Sequence, residues 1–174
     1  GDDNFTISGS AFALGGDGDD RFLVTDGDGT VNGEAGDDVL TLRGTSTGFG
    51  GEGEDFILAQ FSSFGDGGAG DDMLTVQSNA TVTGGDGNDT LDGGRGSDLL
   101  EGGDGDDILL SRSDAGEQKI GQILVDEISR DFPDASVDNT HYKLADWIDQ
   151  ELEADDVLIG GDGADHFKFE ALIN

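Results

Sequence analysis

The chain has 174 residues, 40 of them acidic and 8 basic, for a formal net charge of -32 at pH 7. A surface of that sign excludes nucleic acid, whose phosphates need a basic face, and equally excludes anionic membrane surfaces. Apolar residues make up 33% of the chain, and no apolar run approaches the roughly 18 residues that read as a membrane-spanning helix, so neither a thick core nor membrane insertion is expected. A hard cation held by oxygen ligands and a merely solubilising acidic surface both account for the charge. Spacing decides between them.

Residues 1–110 are built from one repeat. Gly1-Asp2-Asp3-Asn4-Phe5 reads as the second half of a unit, as expected of a piece of a longer protein. Complete G-G-x-G-x-D-x-apolar units then begin at Gly15 (GGDGDDRFL), Gly50 (GGEGEDFIL), Gly67 (GGAGDDMLT), Gly84 (GGDGNDTLD), Gly93 (GGRGSDLLE), Gly102 (GGDGDDILL) and Gly160 (GGDGADHFK), with a variant at Gly33 (GEAGDDVLT) that places Glu34 at the second glycine position. This nonapeptide is a known Ca2+-binding β-helix signature. The sixth-position residues Asp3, Asp20, Asp38, Asp55, Asp72, Asp89 and Asp107 follow one another at 17, 18, 17, 17, 17 and 18 residues. A coil with two short strands per turn returns a residue above itself after about two nonapeptides, so these aspartates form one ladder along one edge.

The opposite edge turns near Ser8-Gly9-Ser10, Asp26-Gly27-Asp28-Gly29, Gly44 to Gly48, Phe61 to Phe64 and Gln77-Ser78-Asn79. These are turn-forming residues without the aspartate pattern. Only Gly93 to Asp98 restores it, so that edge is expected to be calcium-poor elsewhere. Between the turns, Phe5, Phe22, Leu40, Ile57, Leu74, Leu91, Leu100 and Leu109 follow their aspartates and are expected to point inward, one per strand. Phe12, Leu14, Val31, Phe49, Phe64 and Val82 are the inward candidates of the returning strands.

The glycine pattern stops from about Ser111 to Glu153. Ile120, Ile123, Leu124 and Ile128 fall at helical spacing, with Ser113 or Asp114 as N-cap and Phe132-Pro133 as the end. A second stripe, Leu144, Trp147, Ile148 and Leu152, predicts a helix from about Thr140. The expected organisation is a β-roll over 1–110, a helical insert or cap over 111–153, and a short resumption of the repeat with the C-terminal end over 154–174.

Adjacent rungs of a sheet lie about 4.8 Å apart. Two carboxylates at that separation repel by about 3 kcal/mol at an effective dielectric of ~20, against a net domain stability of about 5–15 kcal/mol. Cations between the rungs turn repulsion into ligation and make folding and metal binding one equilibrium. With no cysteine in the chain, metal is the staple available.

Other chemistries fit poorly. The G-x-G-x-x-G matches at Gly48 to Gly53 and Gly65 to Gly70 do not open a helix in a βαβ unit. His141 and His166 are isolated, no zinc-protease H-E-x-x-H occurs, and Asp26 and Asp28 lack the rest of an EF-hand loop. The carboxylates fall where the repeat puts them, so no catalytic residues are assigned and no enzyme activity is expected.

The units at Gly15 to Gly102 and at Gly160 resemble the RTX family, the repeats-in-toxin proteins of bacterial type I secretion, over residues 1–110 and 154–169. The resemblance implies an all-β solenoid, a right-handed parallel β-roll, with several Ca2+ ions between successive turns of an edge. It implies carboxylate ligands at Asp20, Asp38, Asp55, Asp72, Asp89, Asp98 and Asp107, joined by Asp3, Asp156 and Asp165 from truncated, degenerate or terminal turns. Backbone oxygens of the first turn positions complete each cage: Gly15, Asp17 and Gly18; Gly33, Ala35 and Gly36; Gly50, Glu52 and Gly53; Gly67, Ala69 and Gly70; Gly84, Asp86 and Gly87; Gly102, Asp104 and Gly105. Glu34, standing where the family has glycine, departs from the pattern. The resemblance further implies a monomeric chain, secreted by the type I machinery and folding outside the cell. The helical insert is similar to those of large RTX adhesins at the bacterial surface; an accessory domain of a secreted RTX enzyme or toxin is the alternative. Some RTX rolls bind ice through threonine arrays, which this repeat lacks.

Overall fold

The computed structural model describes residues 1–112, 122–123 and 157–170. Among them every regular element is a strand, and from β1 to β13 the strands alternate between two parallel sheets. One sheet runs β1 (Asn4–Ser8), β3 (Arg21–Asp26), β5 (Val39–Leu42), β7 (Phe56–Gln60), β9 (Met73–Gln77), β11 (Thr90–Asp92), β13 (Ile108–Arg112) and β16 (His166–Glu170). The other runs β2 (Phe12–Asp17), β4 (Thr30–Ala35), β6 (Thr47–Glu52), β8 (Phe64–Ala69), β10 (Thr81–Asp86), β12 (Leu99–Asp104), β15 (Val157–Asp162) and β14 (Gln122–Ile123). Each turn of chain contributes one strand to each sheet, which is the parallel β-roll expected from the two-nonapeptide period.

The core is a thin seam between the sheets. In the first sheet Phe5, Phe22, Leu40, Ile57, Leu74, Leu91, Leu109 and Phe167 lie in one register row. Those from Phe22 to Leu109 are buried, with Phe5 and Phe167 packed at the two ends. Ile7, Val24, Leu42, Ala59 and Val76 form a second buried row. Burying one Leu, Ile or Val in such a row contributes about 1.5–3 kcal/mol, repeated rung after rung.

The returning strands differ from expectation. Val31 and Val82 are buried, but Phe12 is 67% and Leu14 44% exposed. Phe49 and Phe64 are only half-buried, their rings tilted against each other at 6.2 Å. The inward row is Ala13, Val31, Gly48, Gly65, Val82 and Leu100, always two residues before the first turn glycine. Gly48 and Gly65 belong there because the opposite strands fill the space. A Cβ on Gly48 would lie 2.8 Å from the methyls of Leu42, and one on Gly65 would lie 2.9 Å from Ile57 Cγ2. Alternation then turns Phe12, Leu14, Phe49 and Phe64 outward.

After β13 the chain leaves the roll and returns in step. Val157 pairs with Leu99, and His166 with Ile108, so β15 and β16 make the rung that follows β12 and β13. Of the helical segment predicted over 111–153, residues 113–121 and 124–153 lie outside the described residues, and Ser111 and Arg112 belong to strand β13 instead. Ile123, placed by its spacing on a helical stripe, is in the extended strand β14, paired with β15. An open strand edge offers unpaired backbone groups, and that pairing satisfies them.

Candidate metal sites along one edge

The turns between the second sheet and the first carry the aspartate ladder. Oδ1 of each sixth-position aspartate accepts the backbone N–H of the aspartate one rung before it: Asp3 to Asp20 (2.6 Å), Asp20 to Asp38 and Asp38 to Asp55 (2.7 Å each), Asp55 to Asp72, Asp72 to Asp89 and Asp89 to Asp107 (2.8 Å each). The ladder then crosses the insert, where Asp107 N–H donates to Asp165 Oδ1 at 3.1 Å. One missing carboxylate would therefore free a donor on its neighbour.

The other carboxylate oxygens are anomalous. Asp20, Asp38, Asp55, Asp72, Asp89 and Asp107 are between 0 and 3% exposed, and Oδ2 of each is buried with no hydrogen-bond partner. An ionised oxygen in that state costs several kcal/mol unless a cation faces it. Burial accordingly raises the carboxyl of Asp72 to about 7 and those of Asp55, Asp89 and Asp107 to about 6; backbone N–H donation opposes the rise and neighbouring carboxylates add to it. Asp38 and Asp165 are raised too, again chiefly by burial.

Backbone oxygens gather on the same atoms. A Cβ on Gly15 would overlap Asp20 Oδ2 while lying 2.6 Å from the Gly33 carbonyl oxygen, and one on Gly67 would overlap Asp72 Oδ2 at 2.6 Å from the Gly84 oxygen. The same arrangement recurs at Gly33, Gly50, Gly84 and Gly102, so the orphaned Oδ2 of one rung and the first-position carbonyl of the next converge each time. Third-position carbonyls of Ala35, Glu52, Ala69, Asp86 and Asp104 each accept the N–H of the fourth-position glycine one rung before, leaving a second lone pair. The Asp17 carbonyl accepts from the N-terminal ammonium of Gly1. Such an all-oxygen donor set, rich in carbonyls and carboxylates, suits Ca2+ and no soft metal.

The second glycine position has positive φ throughout, for example 124° at Gly51 and 111° at Gly68. Glu34 adopts the same left-handed region, φ 78°, with its N–H held by Asn32 Oδ1 at 3.0 Å. The departure from the repeat is absorbed without breaking the turn.

Two further ladders escaped the sequence reading. At the fifth position the side chains of Asp2, Asp19, Asp37, Asp71, Asn88 and Asp106 accept N–H groups from the following rung at 2.8–3.3 Å. These bonds run opposite to those of the sixth position, and the recurrence of Asp, Asn or Glu there was the available signal. On the second edge, register places Ala11, Gly29, Ser46, Ser63, Ala80 and Asp98 in the sixth-position role. Ser46, Ser63 and Ala80 are buried small side chains where the other edge has carboxylates. Asp98 is 2% exposed and accepts the Ala80 N–H at 2.9 Å. Asp156 lies outside the described residues.

A family model for the RTX calcium-binding nonapeptide repeat matches the chain in four copies, at residues 77–115 and 152–168. No curated protein and no solved structure matches. The register of the matched rungs continues unbroken through β1, beyond the residues matched. RTX repeats bind Ca2+ in several sites, a chemistry that the orphaned oxygens fit, and the matched residues 77–115 and 152–168 carry RTX calcium-binding nonapeptide repeats.

Proposed function

We propose that the domain is a structural, non-enzymatic roll that stays unfolded at low Ca2+ and folds when Ca2+ fills the ladder outside the cell, as part of a type I-secreted bacterial surface adhesin. The observation that carries this reading is the row of buried, unpartnered Oδ2 atoms from Asp20 to Asp107. The ligands would be the carboxylates of Asp3, Asp20, Asp38, Asp55, Asp72, Asp89, Asp107 and Asp165, with carbonyls of the first, third and fourth turn positions. Asp98 would hold an ion on the second edge. Bound Ca2+ supplies the positive charge that lets these carboxylates be buried and ionised at once. The chain's own part is to present its oxygens in register and to withhold them as ligands while unfolded. An acidic polypeptide without disulfides suits export in the unfolded state, and each rung needs only its neighbours, so the roll works as a monomer.

Titrating Ca2+ into EDTA-treated protein while following far-UV circular dichroism tests the reading. A cooperative coil-to-sheet transition that Mg2+ does not reproduce is expected, because Mg2+ demands a smaller octahedral shell. Full sheet content after exhaustive chelation at neutral pH would falsify it.

A further inference from the structure

The two sheets turn unlike faces outward. On the first sheet Arg21, Val39, Phe56, Met73, Thr90 and Ile108 lie side by side in one outward row. Met73 is 51% and Ile108 42% exposed. In the next outward row, from Leu23 to Leu110, Asp92 is the single carboxylate. Arg43, exposed at the end of β5, adds a second base. Its Nε donates to Gln60 Oε1 at 2.8 Å, and Gln60 donates to Gln77 Oε1 at 2.7 Å. The strands of the second sheet contain no Lys, Arg or His. Their outward side carries Phe12, Leu14, Phe49, Phe64, Asp66 and Glu101. Asp66 stands beside the tilted ring pair: Phe49 is its register partner on β6, and Phe64 precedes it by two on the same side of β8. Burial chiefly, and Glu101 secondarily, raises its carboxyl. A half-buried acid among aromatic rings, on a sheet without a base, is suited to a cation from outside.

We propose that folded copies of this chain associate side by side, the first sheet of one copy against the second sheet of the next, with the Arg43 guanidinium meeting Asp66 beside Phe49 and Phe64. The inference goes beyond the Ca2+ reading and needs only the folded roll. Copies of a chain with net charge -32 approach one another best where carboxylates are fewest, and the outer face of the first sheet is such a place. Complementarity then selects the pairing. Like faces would set Arg21 and Arg43 against themselves, or Asp66 and Glu101 against themselves; only unlike faces bring bases to acids. A guanidinium pairs with a carboxylate and stacks on neighbouring rings at once. Arg43 keeps N–H donors beyond the one given to Gln60. It also follows β5 at the edge from which β6 and β8 start, so a sideways translation of one copy leaves it about one rung, ~5 Å, from β8. Each face spans six strands, roughly 500 Å2 at the usual strand spacing and rise. That is less than the ~800 Å2 per partner of a stable complex, so the association is weak in dilute solution. Being head to tail, it extends into rows instead of closing as pairs. Each roll still folds by itself.

Sedimentation velocity of the Ca2+-saturated chain, from about 10 µM to about 1 mM, tests this. The sedimentation coefficient is expected to climb with concentration past that of a dimer. Asp66→Arg and Arg43→Glu should each weaken the association about tenfold. An equimolar mixture of the two variants should recover it, because opposite charges then face each other at every interface. Far-UV dichroism in Ca2+ establishes that both variants are folded; if charge reversal unfolds either, Asp66→Asn and Arg43→Gln replace them, each with a loss of about threefold. A chain that stays monomeric throughout overturns the inference, including the case in which another part of the same chain covers either face. Association that neither single variant weakens overturns it too, and assigns the contact to Ca2+ bridging between acidic edges. So does a mixture that associates no better than its components.

Discussion

The backbone N–H of Asp55 donates to Oδ1 of Asp72 at 2.8 Å, while Oδ2 of the same carboxylate is buried and meets no donor. One oxygen ties two rungs together and the other is left for a cation. Asp72→Ala therefore removes a ligand, strands the Asp55 N–H and interrupts the ladder at its centre. The Ca2+-loaded roll is expected to lose about 3–5 kcal/mol, the usual consequence of breaking a buried charge pair, measured by urea denaturation in saturating Ca2+. Glu52→Ala, whose side chain is exposed and whose carbonyl is retained, should change stability by no more than about 0.5 kcal/mol. Equal losses in the two variants would refute the role given to Asp72.

The first turn glycine and the inward strand glycine should fail in different ways. Gly50→Ala puts a methyl group onto Asp55 Oδ2 and against the Gly67 carbonyl, so calorimetry should show weakened Ca2+ binding. Gly48→Ala presses on Leu42 at 2.8 Å. It should cost about 1–3 kcal/mol by overpacking with the number of bound ions unchanged.

Glu34 holds a left-handed conformation, φ 78°, which costs an L-residue about 1–2 kcal/mol. Glu34→Gly is expected to recover roughly 1 kcal/mol and to move the Ca2+ midpoint of folding downward. An upward shift would mean that the Glu34 side chain contributes to the turn more than its backbone strain removes.

Protons compete with Ca2+ for the ladder. In the metal-free fold burial raises Asp55, Asp89 and Asp107 to about 6 and Asp72 to about 7, above the unfolded value of about 3.9. The folded form thus binds more protons between pH 4 and 7, so metal-free stability falls as pH rises through that window. Without Ca2+, sheet content is expected to increase on acidification from pH 7 toward 4. In the presence of Ca2+, the concentration that half-fills the sites, read by calorimetry, should rise as pH drops below about 6, because protons occupy the same carboxylates. Dichroism at fixed EDTA across that range checks the first, and Ca2+ titrations at pH 5.5 and 7.5 check the second. Metal-free sheet content that grows with rising pH would contradict the assignment.

The period of the aspartates was enough to place Asp3 through Asp107 on one edge, because Asp combines a fixed turn position with visible chemistry. The partners of the returning strands were harder to read. Gly48 and Gly65 occupy two of the inward positions and present no apolar side chain, so attention went to Phe49 and Phe64 beside them. Counting back two residues from each first turn glycine would have set the parity. The second-edge ladder was hidden for the same reason: Ala11, Gly29, Ser46, Ser63 and Ala80 carry nothing that distinguishes them from ordinary turn residues. The return of the roll at Val157 was suggested by the Gly160 unit, but its register depended on backbone pairing with Leu99, which no local motif encodes.

Strands Ile108–Arg112 and His166–Glu170 lie side by side although their paired residues, such as Ile108 and His166, are as far apart in the chain as Asp107 and Asp165, at 58 positions. A repeat whose members recognise only the neighbour above and below tolerates extra chain between two of them at a small entropic cost. Such a scaffold behaves like a shelf rack with interchangeable spacing: foreign sequence can be spliced at a rung boundary and carried outward while the uprights stay aligned.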